Sequence, residues 1–143
     1  MKALIDRENI TDYIPQKAPI VMIDEVISCG EKEIVSRLEV SENNMFVLDG
    51  KLTESGLIEN IAQTAAAKVG YECHLRNIPV PVGFIGGVSK VEVTDLPPIG
   101  AQIETTVTIK NDVMNVTIIS GSSKVGNQDL ISCEMKILIQ QED

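Results

Sequence analysis

Over residues 34–40 the chain alternates, with Ile34, Ser36, Leu38 and Val40 on one side of an extended backbone and Val35, Arg37 and Glu39 on the other. A period of two predicts a strand with one wet face. Residues 20–28 are dense in Ile, Val and Met and predict a strand before it, closed by the polar turn Cys29-Gly30-Glu31-Lys32. Residues 8–14 predict a short helix that stops before Pro15, and a loop through Asp49-Gly50 follows the second strand. The period then changes. From residue 53 or 54 to 71, Leu57, Ile58, Ile61, Ala62, Ala65 and Val69 recur at helical spacing. Thr53 is placed to cap that helix, and Glu54 to meet the positive end of its dipole. Residues 82–93, 101–110, 113–121 and 130–139 predict four further strands. They are separated by Leu96-Pro97-Pro98-Ile99-Gly100, Asn111-Asp112 and the turn from Lys124 to Gln128.

The order is a short helix, two strands, one long apolar helix and four strands. Strands joined by short turns make an antiparallel meander. A lone helix with so broad an apolar face must be wrapped by that sheet rather than lie on it. This is an α+β arrangement, the hotdog fold, expected as one domain over residues 1–143.

Composition narrows the chemistry. Aromatics make up 3% with no Trp, so the core is expected to be aliphatic and Met-rich. Cys29, Cys73 and Cys133 are an odd number with no CxxC spacing, which argues against a disulfide framework or zinc site and predicts reduced thiols in a cytoplasm. No apolar run reaches the length of a membrane span, and the N-terminus has no long apolar stretch of the signal-peptide kind. A net charge of −9 disfavours nucleic acid, whose binding rests on neutralising phosphates. It also opposes acidic protein partners, unless folding gathers Lys51, Lys68, Arg76 and Lys90 into one patch.

Within the apolar helix one carboxylate stands out. Glu59 sits in its middle, with Gln63 one turn on. An ionised group in such surroundings is costly unless partnered. One explanation is structural: a buried, hydrogen-bonded carboxylate, or one reaching solvent at the edge of the apolar face. The other is chemical.

The residues Ile14-Pro15-Gln16-Lys17-Ala18-Pro19-Ile20-Val21-Met22-Ile23-Asp24-Glu25-Val26 resemble the N-terminal signature of β-hydroxyacyl-ACP dehydratases. Glu59-Asn60-Ile61-Ala62-Gln63 resembles their central-helix motif. The stretch from Gly83 to Val91, followed by Pro98-Ile99-Gly100, resembles their third strand and the turn after it. Phe46-Val47-Leu48-Asp49, with no His-Phe-Pro-Gly, is similar to the dehydratase-like subunits of aryl-polyene and related pigment clusters. Two imidazoles of the family pattern are missing. The catalytic His position falls on Met45, and the other, just after the Leu-Pro of the family's N-terminal signature, falls on Gln16. The only histidine, His74, lies about 22 Å from Glu59 along a helix, beyond proton-transfer reach.

The resemblance implies a dimer, either with itself or with a dehydratase homologue. Strands at residues 83–91 would pair across the axis, and an acyl chain on ACP or CoA would lie beside the central helix. It implies no metal or cofactor. Glu59 and Gln63 are the catalytic candidates; Met45, Asp49, Ser55, Gly56, Leu57 and Phe84 are the candidate substrate contacts. Three functions stay open: a dehydratase-like enzyme using Glu59, a silent acyl-binding or partner subunit, and a thioesterase. In the last, Glu59 activates water while N–H groups near Ser55, Gly56 and Leu57 hold the thioester oxygen.

Overall fold

A computed structural model describes residues 3–139. A 3₁₀ turn at Ile10–Asp12 precedes strands β1 (Glu25–Cys29) and β2 (Glu33–Glu39). A small hairpin, β3 (Val47–Leu48) and β4 (Lys51–Leu52), leads into helix α1 (Glu54–Arg76). Strands β5 (Gly83–Val93), β6 (Gln102–Val113), β7 (Val116–Val125) and β8 (Gln128–Ile139) complete the chain. Six of the strands form one antiparallel sheet in the order β1-β2-β6-β7-β8-β5, curled around α1. This is the hotdog fold.

The alternation in residues 34–40 becomes β2, which buries Ile34, Ser36 and Leu38 against the helix. Strand β6 does the same with Ile103, Thr105 and Val107. Helix α1 begins where Thr53 caps it, its hydroxyl accepting from the Gly56 N–H at 3.4 Å. It runs to Arg76, past the expected end at Tyr71, because its stop signal is Asn77 in the left-handed conformation (φ 55°). The Asn77 N–H closes the last turn on the carbonyls of Cys73 and His74.

Three expectations shift. Residues 20–24 are not strand; their backbone is held by helix side chains, as described below, and β1 starts at Glu25. The loop at Asp49-Gly50 is a hairpin, and both turn residues have positive φ (53° and 79°), as a two-residue hairpin turn demands. The turn after β6 falls at Met114-Asn115 rather than Asn111-Asp112. A bulge after Ile109 keeps Asp112 paired with Thr117, so the strand runs on to Val113.

Candidate active site

A cavity of about 600 Å³ lies between one side of α1 and residues of β5, β6, β7 and β8. Glu59, Ala62, Ala66 and Val69 form its helical wall, and Phe84 and Ile85 of β5 line it opposite. Those helix residues are only half-buried. The small alanines leave the space that larger side chains would fill. At the other end of the cavity from Glu59 along the helix stands Lys68, itself 4% exposed. Its ammonium donates to the Gly30 carbonyl at 2.7 Å and pairs with Glu72 one turn on.

Gln63 is fully buried and uses both ends of its amide. Its oxygen accepts from the Met22 N–H at 2.6 Å, and its nitrogen donates to the Ile20 carbonyl and to Glu59 Oε1, each at 2.8 Å. Asn60 adds a bond from its Nδ2 to the Met22 carbonyl at 2.7 Å. The N-terminal segment is thereby strapped to the helix, and one oxygen of Glu59 is fixed in direction. This resolves the helix carboxylate physically: it lies at the edge of the apolar face, oriented by an amide and open to a cavity.

Beneath Glu59 the helix meets the sheet through polar groups. Asn60 Oδ1 accepts from Thr105 Oγ1 at 2.5 Å, the Ser123 hydroxyl donates to Thr105 Oγ1 at 2.9 Å, and Thr64 bonds Ser36 at 2.7 Å. All five are buried and all are partnered. Helical periodicity alone assigns this face to aliphatic packing; half of it is a hydrogen-bonded network.

The other candidates separate. Phe84 lines the cavity beside Glu59. Leu57 is fully buried in the core, and its N–H donates to the Thr53 carbonyl. Gly56 is packed where a Cβ would approach Leu52 Cδ1 to 2.7 Å, and its N–H serves the Thr53 cap. Ser55 and Asp49 are exposed, Asp49 at the hairpin tip. Met45 is 56% exposed in the loop before β3 and does not line the cavity. Lys68 cannot join a basic surface patch, because it is buried.

The cavity also gathers polar residues that the sequence pattern did not assign to this site, Lys68, Glu72, Glu31, Lys32, Asp112 and Thr117 among them, and it brings in Gln16, the second family His position. Lys68 was hidden because a lysine on a helix ordinarily reads as solvated. His74 sits at the helix end, stacked on Tyr13 with ring centroids 4.2 Å apart and bonded to the Asp12 carbonyl at 2.9 Å. The thiols of Cys29, Cys73 and Cys133 are free, and burial pushes each of them up. That makes them poor nucleophiles. Among the described residues no three metal-ligating side chains gather, and no helix is long and apolar enough to cross a membrane.

One long helix wrapped by a curled six-stranded antiparallel sheet defines a hotdog protein. The chain belongs to the ApeP-like family (ApeP dehydratase), whose sequence profile matches residues 8–142. The fold is similar to a chain of the dehydratase heterocomplex ApeI:P from Xenorhabdus doucetiae. The TM-score is 0.86 at 18% identity, covering 93% of this chain and 91% of that one. It is also similar to the protein PH1136 from Pyrococcus horikoshii (TM-score 0.70, 12% identity, 99% and 97% covered). A third likeness is to a hypothetical thioesterase from Streptococcus pneumoniae TIGR4 with coenzyme A (TM-score 0.67, 8% identity, 82% and 86% covered). No curated protein matches the chain.

Proposed function

We propose that this chain is one subunit of a 3-hydroxyacyl thioester dehydratase, contributing Glu59 to a site completed by a homologous partner paired along β5. The observation that carries the reading is the cavity wall itself, where Glu59 is held by Gln63 and faces Phe84. Dehydration removes a proton from C2 and the hydroxyl from C3; the C2–H electrons become the double bond, and the hydroxyl leaves as water once protonated. Glu59, with one oxygen fixed by Gln63, is positioned to give that proton. The C2 base must come from elsewhere, since Met45 stands in the usual His position and His74 is engaged at the far end of α1.

Two observations favour a partner. All eleven residues of β5 are exposed, Phe84, Ile85, Val88, Val91 and Val93 among them, although β8 pairs only one of its edges. The neighbour from Xenorhabdus doucetiae is a dehydratase heterocomplex. The ligand of this reading is an acyl thioester of ACP or CoA in a cytoplasmic setting where the three thiols stay reduced. Thioester hydrolysis by Glu59 is less favoured, because the Gly56 and Leu57 N–H groups already serve the helix cap.

The test assays hydration of a crotonyl thioester against its hydrolysis, for the chain alone and together with a dehydratase homologue co-expressed with it. Hydration by the pair and little by the chain alone is the expected result. Hydrolysis by the chain alone would replace this reading with the thioesterase one.

A further inference from the structure

The helix residues that line the cavity begin at Glu59 and continue toward the C-terminus, through Ala62, Ala66 and Val69 to Glu72; among the described residues none earlier in α1 lines it. Glu59 therefore stands at one end of the space. Ala62, Ala66 and Val69 follow it on the same face of the helix, about 4.5, 10.5 and 15 Å further along the axis. All three are only half-buried, so the wall they form is open to the cavity. Across from them Ile109 and Ile137 are half-buried and Ile85 is 45% exposed, and each lines the same space. Beyond Val69 the lining turns charged, with Glu31, Lys32 and Glu72. The apolar part of the cavity thus starts at Glu59 and has a definite end.

We infer that the acyl chain runs from Glu59 toward Val69, that the site takes medium-length chains in preference to short ones, and that Ala66 sets the length accepted. This rests on the dehydratase reading above. With C3 beside Glu59, a crotonyl group ends before Ala62 and leaves most of a cavity of about 600 Å³ unfilled. A dodecenoyl tail reaches Ala66 and lies against the isoleucines opposite. Each methylene buried there strengthens binding by up to about fourfold. Alanine is what admits the tail, since a larger side chain at this position occupies the room it needs.

The test follows hydration of crotonyl, hexenoyl and dodecenoyl thioesters by the chain co-expressed with a dehydratase homologue, with the homologue alone as background. Wild type is expected to favour dodecenoyl over crotonyl by about tenfold or more in kcat/KM. Ala66→Leu in this chain is expected to lower the dodecenoyl-to-crotonyl ratio about tenfold and the hexenoyl-to-crotonyl ratio little. Ala62→Leu, nearer Glu59, is expected to lower both ratios. Ala66→Val makes the same prediction in smaller degree if the leucine prevents assembly. A uniform fall for all three thioesters in the Ala66 variants is a disturbance of the helix and overturns the inference, as does an unchanged ratio. A wild-type pair that prefers the crotonyl thioester overturns it too, while leaving the dehydratase reading in place. If the pair hydrates none of the three, that reading fails and this one with it.

Discussion

The two edges of the sheet are managed in opposite ways. At one edge β1 is covered: the N-terminal segment bridges it, with Ile5 and Val26 exchanging backbone hydrogen bonds at 3.1 and 2.9 Å. Val26 is fully buried there, and Arg7 and Asp24 close the outside with an ion pair at 3.0 Å. At the other edge β5 is bare along its whole length and carries a row of exposed aliphatic side chains. An uncovered, apolar edge strand is a template for pairing with another chain. The start of that same strand, Gly83 to Ile85, lines the cavity of Glu59.

The comparison breaks most sharply by putting a charge on each edge. Val26→Lys buries an ammonium in the core and is expected to abolish folding, read by loss of a cooperative thermal transition. Val88→Lys on β5 should leave the melting of the isolated chain nearly unchanged while dissociating any assembly, read by sedimentation. If both variants melt alike, the edges are not different in kind.

Gly70→Ala comes next. A Cβ there would lie 1.8 Å from the Tyr13 carbonyl oxygen, a backbone atom that cannot step aside cheaply. The expected loss is about 3 kcal/mol by denaturant unfolding, with the N-terminal segment that covers β1 loosened from the helix. Thr105→Val removes the donor to Asn60 and the contact to Ser123. It should cost roughly 1–3 kcal/mol, because it strands a buried amide oxygen. The same measurement checks it.

The smallest effect is electrostatic. Burial pushes Asp24 up, against the opposing pull of the Glu39 N–H and Arg7. The folded state therefore holds this proton more tightly than the unfolded chain. The stability it contributes is full below about pH 4 and is lost as pH rises through the raised value. Asp24→Asn should flatten that decline in stability–pH curves; an unchanged slope would assign it to other carboxyls.

How much of this could be read from the sequence follows from where each signal lives. Strand β2 was legible because one of its faces is wet, and helix α1 because Thr53 caps it and its small apolar residues recur at the helical period. Residues 20–24 were not, since their Ile, Val and Met content reads as strand while their backbone bonds go to Gln63 and Asn60, forty residues away in sequence. The Asp49-Gly50 hairpin is too short for periodicity to register. Glu59 and Gln63 were legible as a carboxylate and amide one turn apart on an apolar helix. Gln16 was legible as the second family His position, but its place on the cavity wall was not, since that depends on how the N-terminal segment is strapped to the helix.

The most direct test of the account places Glu59→Gln in this chain alone, within the proposed pair with a homologue, and follows hydration of a crotonyl thioester. The variant should assemble normally and lose activity by about a hundredfold or more, the scale of removing a general acid. Full activity with Gln at this position would contradict the assignment of Glu59 and leave the chain as the partner that merely completes the fold.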